Sequence, residues 1–242
     1  MKFSVLCLLS FFILVASAQA KQEDIVACID DHPPYQYLAE VPYGTHIAAL
    51  QTLAKILDRN LVYVRSPNFA RCVAMLKSGE VDVVAGLNIT EERKAFAFWA
   101  PFKMADELNV ITKKDITIEK YDDFRGKIIG IPRGSTYFYK FDNDDTLNKV
   151  SIQSERVGFS LILKERIDLI MASQQVLDSH ITDIKKAELK ISPISLYELR
   201  AKETYFGFSK KHRLSLSDEE IAFKTLDAFK RGVFLLPPEA EQ

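Results

Sequence analysis

Apolar residues follow two different periods along this chain, and the periods alternate. Residues 44–57, GTHIAALQTLAKIL, place apolar side chains on one stripe at helical spacing, which predicts an amphipathic helix. The runs DIVACID at 24–30 and NLVYV at 60–64 flank it, and continuous apolar runs of this length are typical of buried strands. A strand, a helix and a strand in this order predict a βαβ unit with a parallel sheet.

Residues 67–102 extend the pattern. They predict a helix over 69–77, a turn at Ser78 and Gly79, a buried strand at 81–85, and a second helix that is capped by Thr90. Such a unit delivers its loop to the carboxyl end of a parallel strand. Open α/β sheets bind their ligands at that edge.

The first candidate for chemistry is Arg93, one turn into that second helix. It follows a loop that contains Gly86 and Asn88, with backbone N–H groups and short polar side chains. A guanidinium has a planar fork that matches two carboxylate oxygens, so Arg93 is a candidate for binding a ligand carboxylate. The alternative is that Arg93 pairs with a surface glutamate.

A second α/β unit follows. Strands are predicted at 127–131, 150–153 and 166–172, with a helix over 154–164 between the last two. The loop 132–136 contains Ser135 and Thr136 and is predicted to open a helix over TYFYKF. A helix start has free N–H groups and can bind an anion, although most capped helices share this feature.

Extended segments join the two units. A strand at 108–112 leaves the first unit, and a strand at 203–209 leads to a closing helix at 218–231 with a capping box of Ser217 and Glu220. The tail VFLLPP is expected to pack on a lobe. We predict one lobe from residues 21–111 and 204–242, a second from 112–203, and a hinged cleft between them.

The first twenty residues have a different character. Lys2, an apolar run and a final Ala-Gln-Ala predict a cleavable signal peptide over 1–20, too short for a comfortable membrane span. We therefore expect export, and a periplasmic location in a two-membrane cell.

The net charge and the absence of known motifs argue against several classes of function. Removing residues 1–20 removes one lysine and leaves 31 basic and 33 acidic residues, a net charge of −2. Without a basic excess, nucleic acid is not an expected partner. No nucleophile elbow, metal-binding or phosphate-binding motif occurs, so we expect no cofactor and no metal.

Two cysteines remain after cleavage. Cys28 lies in the first predicted strand, and Cys72 lies in a helix that would cross the sheet beside it. In an oxidising compartment we predict a disulfide between them. Two buried free thiols are the alternative.

A stiff loop follows the first strand. Pro33 and Pro34 fix an extended turn that presents His32, Tyr35 and Tyr37 at the carboxyl end of the strand. These aromatic rings can wall a binding pocket, or each tyrosine can simply cover the core.

Several of these segments together resemble a known family. The PPY after the first strand, R-C-x-x-M-L-x-S-G-E-V-D-x-x-A-G-L-x-I-T-x-E-R, G-K-x-I-G-I-x-x-G-S-T and E-R-I-D are similar to the solute-binding proteins of amino-acid ABC uptake systems, family 3. The resemblance implies a type II periplasmic-binding-protein fold, in which two lobes, each a mostly parallel sheet flanked by helices, close on a small solute. It also implies an ABC permease as partner, and we expect a monomer.

The resemblance assigns roles to individual residues. Arg93 matches the carboxylate-binding arginine, and Gly86 and Asn88 match positions that contact the amino-acid head group. Ser135 and Thr136 match the loop of the second lobe that completes carboxylate binding. His32 matches a position where an aromatic ring often stacks on the ligand.

One position departs from the family. Ser173 stands where an aspartate usually holds the ammonium of the ligand. Since a buried ammonium needs an anionic partner, either another acid such as Glu40 or Asp178 serves, or the ligand is not a plain α-amino acid. On this basis we expect ordinary cationic amino acids to bind poorly.

Two other functions fit the same fold. An exported binding protein can signal to a membrane receptor instead of a permease. A few relatives are dehydratases that act on carboxylated rings, which need an acid or base in the cleft. The sequence shows few obvious cleft carboxylates, so we expect a binding protein and not an enzyme.

Overall fold

The structure is a computed structural model that describes residues 22–180 and 188–235. The predicted signal peptide and the last three residues of VFLLPP lie outside these ranges. The strands are β1 (Asp24–Ile29), β2 (Asn60–Arg65), β3 (Val83–Ala85), β4 (Ala97–Met104), β5 (Leu108–Lys113), β6 (Ile128–Pro132), β7 (Asn148–Ile152), β8 (Leu169–Ser173), β9 (Leu189–Ile191) and β10 (Glu203–Ser209). The helices are α1 (Thr45–Leu57), α2 (Phe69–Ser78), α3 (Glu91–Lys94), α4 (Tyr139–Asp142), α5 (Glu155–Leu163), α6 (Gln174–His180) and α7 (Asp218–Lys230).

The strands form two five-stranded sheets, so the two-lobed α/β prediction is confirmed. The first sheet has the order β2-β1-β3-β10-β4, and the second has the order β7-β6-β8-β5-β9. Both sheets are mixed but mostly parallel, as predicted, because four strands of each sheet run in one direction and a single strand runs against them. In each, three parallel strands are joined to two more by antiparallel pairing, through β10 in the first sheet and β5 in the second.

Each sheet is covered on both faces. In the first, α1 and α7 pack on one face around Leu50, Phe206 and Ile221, and α2 packs on the other around Leu76 and Val84. The returning helix α7 begins with the predicted capping box at Ser217. Phe234, in the short turn that follows α7, packs against the same core as α7. The second sheet is covered by two further clusters in the same way.

An aspartate has the same structural role in each lobe. Asp82, just before β3, accepts a hydrogen bond from the N–H of Val26 in β1, and Asp168, just before β8, accepts one from Ile128 in β6. In each case a carboxylate satisfies an N–H at the start of the neighbouring strand, where the ladder begins. The aspartates of the E-V-D and R-I-D segments are therefore structural.

The chain passes between the sheets twice, at residues 105–107 and 200–202. All of β5 pairs within the second sheet, so residues 108–111 lie on the far side of the boundary predicted at 111/112. An apolar run predicts a strand but not the sheet that it joins. The division into lobes at 111/112 and 203/204 stays a prediction, and the strand pairing favours an earlier first boundary.

Strand β4 was not expected from the sequence. It contains Pro101, and a proline inside an apolar run argues against a strand. Because β4 is the edge strand of its sheet, it tolerates a residue without an N–H group. The helix that Thr90 caps is correspondingly short and ends at Lys94.

The predicted disulfide is present. Cys28 in β1 and Cys72 in α2 are bonded, with 5.4 Å between their Cα atoms, and both are buried. The bond fixes α2 on the face of the first sheet.

We expect thiol titration of the denatured, unreduced exported protein to find no free thiol. The bond links residues 44 positions apart. Closing a loop of that length stabilises a fold by about 4 kcal/mol in the chain-entropy model, so replacing both cysteines with alanine should lower the unfolding midpoint in urea. Two titratable thiols in the oxidised protein would contradict the assignment.

Candidate functional site

A cavity of about 290 Å³ lies between the two sheets, where the carboxyl ends of their parallel strands face each other. Residues at or just after the carboxyl ends of β1, β3, β6, β7 and β8 line it. All eight predicted ligand-binding residues line this one cavity: His32, Tyr35, Gly86, Asn88, Arg93, Ser135, Thr136 and Ser173. The sequence prediction therefore identified one spatial site.

Arg93 is buried in this site, with 6% of its surface exposed. Thr90 caps α3 by accepting a hydrogen bond from the backbone N–H of Arg93, as predicted. The guanidinium donates from Nη1 to the carbonyl of Asn88 at 3.0 Å and to Oγ1 of Thr136 at 3.3 Å, and from Nη2 to the carbonyl of Gly134 at 2.6 Å. It therefore joins the β3 loop of the first lobe to the β6 loop of the second.

The alternative role for Arg93, pairing with a surface glutamate, does not match the ion pairs found. Glu91 pairs with Lys94, and Glu92 lies 3.9 Å from Lys77. Burial lowers the pKa of the Arg93 guanidinium, yet arginine keeps its charge in proteins. Its hydrogen bonds to the described residues use three of five N–H groups, which leaves donors for a carboxylate.

Two glycines allow this close arrangement. Gly86 has a φ of +83°, and a Cβ there would lie 2.9 Å from Cε1 of His46. Gly134 also has a φ of +83°, and its Cβ would lie 2.7 Å from the backbone of Ala70 in α2. Left-handed backbone favours glycine, and the second contact crosses the cleft. A side chain at Gly134 would therefore hold the lobes apart.

The prediction that Ser135 and Thr136 open a helix is wrong. Helix α4 begins three residues later at Tyr139, and Phe138 occupies the cap position without a side-chain hydrogen bond. Tyr137 and Phe138 pack into the core of the second lobe, and Asp142 accepts from the N–H of Tyr137. Thr136 instead offers its hydroxyl to Arg93 and its carbonyl to the Asn88 amide. The argument for an anion-binding helix start does not apply.

Tyr35 combines the two roles that the sequence left open. Its ring stacks on His46 with 4.6 Å between centroids and packs into a core cluster of the second lobe, and it also lines the cavity. Its hydroxyl donates to Asp106 and contacts the hydroxyl of Ser173. Tyr37 stacks on Tyr43 away from the cavity.

Ser173 thus contacts a tyrosine at the position where the resemblance implies an acid. Neither substitute acid considered from the sequence, Glu40 or Asp178, lines the cavity. Five other carboxylates do: Asp30, Asp31, Asp106, Glu155 and Glu203. The expectation of a cleft poor in carboxylates is therefore wrong. The expectation that cationic amino acids bind poorly loses its basis, because it rested on Ser173 alone.

Two of these acids come from different lobes and are close enough for Glu155 to raise the pKa of Asp30. Asp30 directly follows β1, and Glu155 is the first residue of α5, after its cap Ser154. His32 lies between them, with Nε2 3.6 Å from Oε1 of Glu155. The sequence analysis selected neither acid for the site, although Asp30 ends a predicted strand and Glu155 begins a predicted helix.

Burial is the main reason why the pKa of the Asp30 carboxyl is high. It raises the pKa of this carboxyl from 3.8 to about 6, with Glu155 and Asp31 raising it further and His32 opposing them. Burial also holds the pKa of His46 well below its ordinary value, so this imidazole is neutral.

Within the described ranges, no group of three or more His, Cys, Asp or Glu is arranged to hold a metal ion. No helix in those ranges is long and apolar enough to cross a membrane.

Comparison with protein families gives one extended match. Residues 25–212 match the model of the bacterial extracellular solute-binding proteins, family 3. This range includes all strands of both sheets except the first residue of β1, and every residue of the site named above.

Individual relatives are more distant. The chain is 29% identical over 124 residues to the arginine-binding extracellular protein ArtP of Bacillus subtilis, an alignment that covers 49% of this chain and 47% of that protein. It is 28% identical over 183 residues to the ABC transporter arginine-binding protein 1 of Escherichia coli, covering 73% of each chain. A probable histidine-binding protein of Campylobacter jejuni is 24% identical over 192 residues, covering 76% of this chain and 70% of that protein.

Solved structures share the fold. An amino acid ABC transporter substrate-binding protein of Streptococcus pneumoniae, bound to L-arginine, superposes with a TM-score of 0.69 at 18% identity, covering 87% of this chain and 89% of that chain. A ligand-binding core from Nostoc punctiforme in complex with L-glutamate superposes with a TM-score of 0.68 at 16% identity, covering 87% and 95%.

The titration of Asp30 leads to a stability prediction. Because its pKa is about 6 in the fold and about 3.8 in the unfolded chain, the folded state binds more protons between these values, and stability falls as pH rises through them. Holding this carboxylate ionised above pH 6 costs about 3 kcal/mol. We expect Asp30→Asn to stabilise the unliganded protein by up to that amount at pH 7.5 and by little at pH 4.

The measurement is urea unfolding of both proteins at the two pH values. Subtracting the wild-type value from that of the variant removes the contributions of other groups, because these are shared by both proteins. An equal difference at pH 4 and pH 7.5 would contradict the assignment of the raised pKa.

Proposed function

We propose the function from the premise that the chain belongs to the bacterial extracellular solute-binding proteins, family 3. The protein binds a small carboxylate-bearing solute, an amino acid or a derivative of one, and delivers it to an ABC permease. The observation that carries the proposal is the buried guanidinium of Arg93 between the loops of two lobes. A buried cation that lines a cavity and has N–H donors left over suits an anionic group of matching shape.

The relatives support the choice of an amino acid. Three of them are described as arginine- or histidine-binding proteins, and two superposed structures contain L-arginine and L-glutamate.

We propose further that residues 1–20 are removed on export, that the mature protein works in the periplasm, and that it is a monomer. Signalling to a membrane receptor is the alternative to transport. A permease and an ATPase encoded beside this gene would favour transport.

The contacts around Arg93 support a division of roles within the site. Its free donors bind the solute carboxylate, and the backbone around Gly86 and the Asn88 side chain contact the head group. Thr136 and Ser135 close over it from the second lobe, while His32 and Tyr35 supply an aromatic wall. Ser173 contacts Tyr35 and contributes to this wall.

We expect a thermal-shift screen of amino acids, carboxylates and opines to identify the solute, since a ligand at 100 times its Kd adds about 2.7 kcal/mol of stability. In calorimetry with that solute, Arg93→Ala should weaken binding by roughly 30- to 3,000-fold, because removing one partner of a buried charge pair costs about 2–5 kcal/mol. Arg93→Lys should recover only part of the affinity, since an ammonium cannot make two parallel bonds.

The matched control is Arg71→Ala, which removes the same charge from an exposed position in the same lobe. It should bind like the wild type. If Arg93→Ala stays folded by circular dichroism and binds within about threefold of the wild type, a difference under 1 kcal/mol, the carboxylate site is elsewhere.

We also propose that the protein is not an enzyme. Five carboxylates line the cavity, and Asp30 with a pKa of about 6 is in the range of a general acid, so the proposal needs a direct test. Purified protein incubated with prephenate should form no phenylpyruvate above the uncatalysed rate. Turnover that is lost in Asp30→Asn would replace binding with catalysis as the function.

A further inference from the structure

Three residues that line one wall of the cavity each carry a buried hydrogen-bond acceptor that the described residues leave unpaired. The acceptors are Oδ1 of Asp30, Oε1 of Gln36 and Nδ1 of His46. The three residues are 7%, 2% and 5% exposed. The two oxygens are acceptors, and the ring nitrogen of a neutral histidine accepts in one of its two tautomers. This wall therefore suits a group rich in N–H donors.

Asp30 differs in this respect from the other buried aspartate in the same lobe. Asp82 is fully buried, and its two oxygens accept from the backbone N–H groups of Val26 and Arg213. Its role in the fold is thus complete within the protein. Since an ionised carboxylate without a partner is costly to bury, Asp30 calls for a partner from outside the chain.

The surrounding charges indicate the sign of that partner. Glu155 approaches from the second lobe and Asp31 from the same loop, and both act on Asp30 as like charges. His32 is the basic residue between them. The acids are not arranged as a metal site. An organic cation with several N–H groups, an ammonium or a guanidinium, matches both the charge and the acceptors.

This wall lies next to the carboxylate site. Strands β1 and β3 are parallel neighbours with Cys28 opposite Val84, and continuing that register places Asp30 beside Gly86. Neighbouring strands are about 4.8 Å apart, so Asp30 lies beside the Gly86 loop, which the proposed function assigns to the head group of the solute. A solute whose carboxylate is bound by Arg93 can therefore place a positive group against Asp30.

Building on the proposed function, we propose that Asp30 binds the cationic nitrogen of the solute, with Gln36 beside it and Glu155 closing from the second lobe. The ligand is then a zwitterion whose positive group lies at the end of β1. In this protein that position takes over the task that the family gives to an acid at the end of β8, where Ser173 stands. The nitrogen is either the α-ammonium or a side-chain cation, and the experiment distinguishes the two.

The test is calorimetry at pH 7.5 with two pairs of probes. L-arginine and L-citrulline have nearly the same shape, but only arginine has a cationic side chain. L-glutamate and 2-hydroxyglutarate differ in the α-ammonium. We expect the wild type to prefer the cationic member of at least one pair by about 30-fold or more, as for a buried charge pair. The pair that shows the preference identifies the nitrogen.

In Asp30→Asn that preference should fall to about threefold or less, while the neutral member still binds within about threefold of its wild-type affinity. Asp24→Asn is the matched control, because it makes the same change at an exposed residue at the other end of β1, away from the cavity, and it should keep the wild-type preference. Glu155→Gln should reduce the preference in part.

Three results would overturn the inference, and they affect the proposed function differently. A preference that survives in Asp30→Asn removes Asp30 from the site and leaves solute binding intact. Binding of 2-hydroxyglutarate that depends on Arg93, without preference for either cationic probe, overturns the inference and keeps the carboxylate site. No binding of any of the four probes by the wild type overturns amino-acid binding together with the inference.

Discussion

The arrangement of the two lobes depends on the hydrogen bonds of one buried guanidinium. Arg93 comes from a four-residue helix of the first lobe, and it donates to carbonyl and hydroxyl oxygens of both lobes. Because a buried cation must have its donors satisfied, the β6 loop has to stay close to the β3 loop. Gly134 makes that approach sterically possible, since its Cα hydrogens face the backbone of α2. This contact forms part of the cavity wall.

The cavity is polar in two opposite senses. Arg93, which has N–H donors left over, lines one part of it, and Asp30 and Gln36, which carry buried unpaired acceptors, line another. Neither set is fully satisfied by the described residues. Burial of Asp30 destabilises the unliganded protein, and a positive group of the solute bound to the same carboxylate would offset this loss. Binding specificity and stability then oppose each other at a single residue.

Local sequence determined much of the fold, because local patterns depend only on nearby residues. The βαβ order follows from alternating periods, the caps at Thr90, Ser154 and Ser217 follow from side-chain chemistry, and Cys28 and Cys72 are placed together by the strand–helix order. Arg93 could be selected for the same reason, as a fork-shaped cation one turn after a cap beside a polar loop.

Only the tertiary structure decided which distant residues meet. Pro101 is compatible with β4 because that strand lies at an edge, and β5 belongs to the second sheet because it pairs with β8, neither of which a run of apolar residues specifies. Asp30 and Glu155 are 125 positions apart (155 minus 30), and each alone is an ordinary acid at the end of an element. Their proximity exists only once the two lobes close, since burial and charge proximity are properties of the packed chain.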